Sequence, residues 1–160
     1  MTSTISSSVM QASFSTILAP NNPSLPATIP ISSVAQSKPG AGTGAGNADG
    51  VSVLTGSVTT GTPVVINLTA LKFPVGDAIT AAYLAGLTIQ NTSPSGGTLT
   101  YGGGTYPVIA AGVPLGPLDG FMQSFNGNPQ IITGGSTNNL TLAASAGTIN
   151  YYITIFTRST

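Results

Sequence analysis

The sequence predicts an all-β protein, a β-sandwich or jelly-roll-like body carrying an extended N-terminal arm. Three observations point there. From Val51 onward, short runs rich in Val, Ile, Thr, Tyr and Phe alternate with clusters of Gly, Pro, Asn and Ser. Almost no stretch repeats apolar residues at the helical period. Residues 1–50 differ in texture from the rest, with scattered large apolar residues among Ser and Pro.

The arm comes first. Ile5, Val9, Phe14, Ile17, Leu18, Leu25, Ile29 and Ile31 follow neither a helical nor a strand period, and Pro20, Pro23, Pro26 and Pro30 favour extended backbone and exclude a long helix. A purely solvated linker would lack such side chains. The segment therefore reads as an arm that lies on a partner, with Phe14, Ile17, Leu18, Leu25, Ile29 and Ile31 as the partner-binding candidates. The stretch Pro39-Gly-Ala-Gly-Thr-Gly-Ala-Gly-Asn-Ala-Asp-Gly50 reads as a flexible hinge. Its glycines resemble a phosphate cradle only in composition, because no Gly-Lys-Ser/Thr follows and no strand precedes. The division is thus 1–50 for arm and hinge and 51–160 for a single sandwich domain.

In the body, strands are expected at 51–58, 63–69, 86–91, 98–101, 105–109, 121–125, 130–133, 139–144 and 148–157. The last is clearest. Ile149, Tyr151, Ile153 and Ile155 share one face, and Asn150, Tyr152, Thr154 and Phe156 share the other, a pattern for a strand near the middle of a sheet. Reversals are expected at 92–97, 102–104, 126–129 and 134–139, where Gly, Pro and Asn concentrate. One short helix or turn is expected over 76–86, with Asp77 capping, Ile79 and Tyr83 on one face and Gly86 ending it. Phe121, Met122 and Phe125 are candidates for a subunit interface, weighed against the plainer reading of a core strand.

Composition removes most chemistry. The 160 residues include three acids, three bases, no His, no Cys and no Trp, and the formal net charge is zero. Charged residues are 4% of the chain, where ordinary soluble proteins have roughly a quarter. Near-zero net charge favours association, so the surface reads as one meant to be covered. Lys38, Lys72 and Arg158 stand far apart, which argues against nucleic acid as a partner. The longest apolar stretch, 106–118, is broken by Pro107, Pro114 and Pro117, which argues against a membrane-spanning helix. Residues 1–13 carry neither a basic start nor a sustained apolar run, so synthesis in a cytoplasm is expected.

Catalysis finds few candidates. A glycosidase needs two facing carboxylates, and the three available, Asp49, Asp77 and Asp119, fall in a hinge, a helix cap and a Leu118-Asp-Gly120 turn. Serine nucleophiles lack a histidine base, and neither Lys38 nor Lys72 lies in a Ser-x-x-Lys pattern. Zinc, copper and iron lack their His and Cys ligands, and no loop repeats Asp, Asn and Gly as calcium loops do. No catalytic residue, cofactor or metal is therefore expected, and the chain reads as a non-enzyme. Sequons at Asn67, Asn91 and Asn139 are attributed to chance in a chain rich in Asn, Ser and Thr.

The apolar Pro-broken arm, the Gly-rich hinge and the nearly uncharged body, with segments such as Leu87-Thr-Ile-Gln-Asn-Thr-Ser, Asn128-Pro-Gln-Ile-Ile and Asn139-Leu-Thr-Leu, together resemble the capsid decoration or cement proteins of tailed bacteriophages. The resemblance spans the chain as texture and includes no diagnostic motif. It implies a virion location, a homo-oligomer with a trimer favoured, and a partner in the major capsid protein or other virion proteins, whose shell it would stabilise. The alternatives are a virion tail, fibre or spike component acting as an attachment module, and a secreted self-associating surface-layer protein. A groove bearing Tyr101 and Tyr106 would favour the attachment reading through carbohydrate recognition.

Overall fold

The computed structural model describes residues 48–125 and 130–160 in full, and the backbone strands at 10–18, 29–37, 40–41 and 47. In chain order the strands are β1 (Met10–Leu18), β2 (Ile29–Ser37), β3 (Gly40–Ala41), β4 (Asn47–Ala48), β5 (Gly50–Thr59), β6 (Val64–Asn67), β7 (Tyr83–Asn91), β8 (Leu99–Tyr101), β9 (Gly120–Ser124), β10 (Gln130–Ile131), β11 (Asn139–Ala144) and β12 (Thr148–Arg158), with one 3-10 turn at Leu68–Ala70. The all-β expectation holds, and the body consists of two antiparallel sheets.

The larger sheet runs β10-β7-β12-β5, with β9 paired to β7 on the same side as β10. β12 and β7 are therefore central. The alternation read in β12 explains why: Ile149, Ile153 and Ile155 are at most 1% exposed and Tyr151 is buried beside them. All four share one core with Leu87 and Ile89 of β7 and Val58 of β5. The smaller sheet, β6-β11-β8, sends Leu140, Leu142, Leu99 and Tyr101 into that core from the opposite side. Each such side chain contributes about 1.5–3 kcal/mol when withdrawn from water.

The outer side of β8 is closed by residues 112–115. Leu99 and Leu115 exchange both backbone hydrogen bonds at 2.8 Å, and Gly112 donates to the Tyr101 carbonyl at 2.9 Å. Gly102, Gly103 and Gly104, at φ of 78°, 65° and 81°, form the reversal that starts this return. Left-handed backbone at three successive residues is cheap only for glycine. The strand expected at 105–109 is absent. Pro107 withholds a donor, and the segment makes an isolated parallel bridge to Asn139.

The helix expected over 76–86 is also overturned. Gly76 sits at φ 100°, Phe73 donates to the Asp77 carbonyl and Ile79 to the Leu71 carbonyl, so 71–80 is a folded loop. Tyr83 to Asn91 is instead the long central strand β7. The gain from burying Leu84, Leu87 and Ile89 between two sheets outweighs the helical preference of an Ala-rich segment.

Opposite Phe156 and Thr157 the ladder with β7 slips by one residue, leaving Ala85 as the extra residue of a bulge. Phe156 there turns onto the outer face of the large sheet. With Ala48 and Ala85 it makes a second, smaller apolar cluster, backed by Val51 and Met122.

β1 and β2 pair with one another from Met10↔Ser37 to Leu18↔Ile29 and join neither body sheet. Phe14, Ile17 and Leu18 fall on β1, and Ile29 and Ile31 on β2; their side chains lie outside the described residues, and Leu25 lies outside them altogether. The end of the stretch read as a hinge is packed into the body, where Ala48 is 0% exposed and Gly50 is buried.

Candidate functional surfaces

The three carboxylates are held in separate structural tasks. Asp49 accepts hydrogen bonds from the Ser159 amide, at 3.0 Å, and from the Ser159 hydroxyl, while its own amide donates to the Thr157 carbonyl. It clasps the start of the body to the end of the chain. Asp119 accepts from the Gly116 amide at 2.8 Å, closing the turn before β9. Asp77 belongs to the 71–80 loop described above. Among the described residues no group of three or more His, Cys, Asp or Glu converges on a point where a metal ion could be held.

The described cations are equally dispersed. Arg158 is 8% exposed with its guanidinium 4.4 Å from the centre of the Tyr83 ring, a cation–π contact inside the fold. Lys72 lines a cleft of about 480 Å3 between Ser52–Thr55 of β5 and residues 66–74, floored by Tyr151. Lys38 lies outside the described residues.

A second cleft, of about 430 Å3, opens between the edges of the two sheets and is lined by Tyr101, Phe121, Phe125, Gln123 and Gly112. The Tyr101 and Phe121 rings pack with centroids 4.7 Å apart at 33°. Tyr101 is 3% exposed. A Cβ placed on Gly112 would overlap the hydroxyl end of its ring, so the backbone at Gly112 lies directly against the tyrosine. Burial pushes the Tyr101 phenol above its ordinary value of 10.0. Tyr106 is half exposed, at φ 54°, and does not line this cleft. Only one of the two tyrosines expected to share a groove thus lines it, and that one is almost wholly buried.

Of the three interface candidates, Phe125 belongs to the buried core and Phe121 packs against it, whereas Met122 faces outward to Phe156. Of the sequon asparagines, Asn91 is 0% exposed and wholly engaged inside the fold. Asn67 caps the 3-10 turn, accepting from the Thr69 amide and hydroxyl, and Asn139 donates to the Thr105 carbonyl.

Sequence reasoning missed the outer apolar cluster around Phe156. Its signal was present, because the second face of β12 carries Phe156 and Tyr152 among polar residues. It also gave no weight to the free edge of β5, a ten-residue strand without a charge or a proline. Comparison with protein families, curated proteins and solved structures finds none that matches this chain.

Proposed function

We propose that this chain is a non-enzymatic structural protein of a virion, a decoration or cement protein that binds the major capsid protein and stabilises the shell. The observation that carries the reading is the separation of parts: an apolar N-terminal segment whose strands join neither sheet of the body, attached to a sandwich with almost no charge. The buried residues of the main core all come from residues 58–155, on the two body sheets and their loops, and the arm is the part assigned to the shell.

The physics of docking follows from the composition. Phe14, Ile17, Leu18, Leu25, Ile29 and Ile31 supply apolar area to grooves or strand edges of the partner. Ordering the arm on the shell costs conformational entropy, and apolar burial at about 25 cal/mol per Å2 offsets it. With so few charges, affinity depends little on ionic strength.

The test has two parts. Quantitative mass spectrometry of virions purified from the source should find the chain at a copy number comparable with the shell subunits; absence from particles would sink the proposal, and a few copies per particle would move it to the tail. Co-sedimentation with purified shells should then be lost on deleting residues 1–37 while the circular dichroism of the body is retained. Unimpaired binding by the truncated chain would overturn the role given to the arm.

A further inference from the structure

The body has four sheet edges, and three are protected. β9 and β10 are five and two residues long. β8 is covered by residues 112–115 through the Leu99–Leu115 pair. β6 has four residues, begins after Pro63 and ends in the 3-10 turn. Short length, proline and covering are the usual means of blunting an edge. β5 is neither short nor broken by proline, and residues 66–74, which stand across an open cleft from Ser52–Thr55, make no backbone hydrogen bond to it. It runs for ten residues, GVSVLTGSVT, pairs in unbroken register with β12 alone, and carries no charge, proline or bulge.

The hydrogen-bond parity of β5 shows which groups are free. Thr60 donates to the Gly147 carbonyl, continuing the register in which Thr59 faces Thr148. Even-numbered residues of β5 therefore bond to β12. The other side of β12 agrees, because Thr92 donates to the Asn150 carbonyl, so that even-numbered residues of β12 face β7 and odd-numbered ones face β5. The N–H and C=O groups of Val51, Val53, Thr55 and Ser57 consequently point away from the sheet. Their side chains lie on the outer face, where Val53 is 37% and the neighbouring Tyr152 40% exposed.

We propose that this edge is a docking site for a second copy of the same chain, β5 pairing antiparallel with β5 about a two-fold axis at Leu54. The four outward residues are self-complementary in that register. Val51 faces Ser57 of the second copy and Val53 faces its Thr55, each pair exchanging two backbone hydrogen bonds, and the Val53–Thr55 pairs beside the axis set β-branched side chains against one another. No charge opposes its like, because β5 has none. The contact is isologous and closes on itself. The merged sheet ends on both sides at the short strands β9 and β10, so growth stops at two copies instead of continuing into a fibre. This inference does not rest on the virion reading. A trimer of the kind that the resemblance implies would need a different surface.

The experiment is light scattering of the full chain combined with hydrogen exchange, on the wild type, V53K and T55P. V53K places a lysine beside the axis at an exposed position. T55P removes an N–H that the isolated body does not use, which an edge strand tolerates. The wild type should have twice the chain mass, with the amides of Val51, Val53, Thr55 and Ser57 protected. Either variant should show one chain mass, with those amides that remain exchanging at least about tenfold faster and an unchanged circular dichroism spectrum. If one variant fails to fold, the other and the wild-type amides decide. A wild type of one chain mass overturns the proposal, even with protected amides, since those would then be covered by the chain's own arm. So does any larger assembly or dimer in which the four amides exchange freely, or a folded variant that keeps the dimer mass.

Discussion

At the scale of single residues, the polar groups that matter are those the core cannot do without. Asn91, at the end of β7, donates to the Leu115 carbonyl at 3.2 Å and accepts from the Ser93 amide at 3.0 Å. Ser93 in turn accepts from the Asn150 amide at 2.8 Å and, through its carbonyl, from the Leu118 amide. One buried amide thus ties together the ends of β7 and β12 and the segment that covers β8. N91A strands these partners and should lower stability by about 3 kcal/mol, read from urea unfolding. N91D keeps the acceptor for Ser93 but turns a charged oxygen toward the Leu115 carbonyl. Burial raises the pKa of that new carboxyl in the folded state, so the variant should be most stable relative to wild type below pH 4 and lose ground as pH rises.

Tyr101 supplies one pH dependence of the native chain. Its folded pKa lies above 10.0 because burial opposes the phenolate, so the folded state holds that proton more tightly than the unfolded state. The stabilisation is complete below pH 10 and is lost as pH rises beyond it. Y101F should abolish this loss in thermal melts taken across pH 9 to 12. The same ring sets the tolerance at Gly112. G112A drives a methyl into it and should cost about 1–3 kcal/mol by overpacking, whereas G134A, where no atom lies within 4 Å of the new Cβ, should be nearly neutral.

At the scale of elements, what was legible in the sequence follows from whether a segment's fate is settled locally. β11 and β12 were readable because their alternation reports a half-buried strand directly, and β5 because its Val and Thr run begins after the glycines. The 76–86 segment was misread because Ala81 and Ala82 favour a helix while the decision belongs to Leu84, Leu87 and Ile89, whose burial needs two sheets already in place. The role of Phe121 was legible as core, but the outward placement of Met122 and the bulge at Ala85 depend on pairing that no local pattern announces. The centrality of β12 makes its own prediction. Ile153 is 0% exposed and lies between Leu54 and Ile89. I153A should therefore cost about 3–4 kcal/mol. I131A, at a residue 61% exposed on the short edge, should cost under about 0.5 kcal/mol. Equal losses at the two sites would mean that β10 is covered in solution.

At the scale of the whole molecule, the balance of forces is set by what the chain lacks. Six charged residues in 160 leave almost no long-range electrostatic energy, either to hold the fold together or to hold copies apart. The clasp at Asp49 and the Arg158–Tyr83 contact are short-range and enclosed, where a Debye length of about 10 Å at 0.1 M salt has little to screen. Stability therefore comes from apolar burial and backbone ladders, and these respond to salt only through the solvent. Raising sodium chloride from about 0.02 to 0.5 M should move the calorimetric midpoint by less than about 2 °C. Sodium sulfate at equal ionic strength should raise it clearly, because an ion excluded from the surface strengthens burial. The same contrast should appear in self-association, with a mass unchanged by chloride. A strong chloride dependence of either quantity would show that the few charges act together, contrary to their dispersal over separate elements.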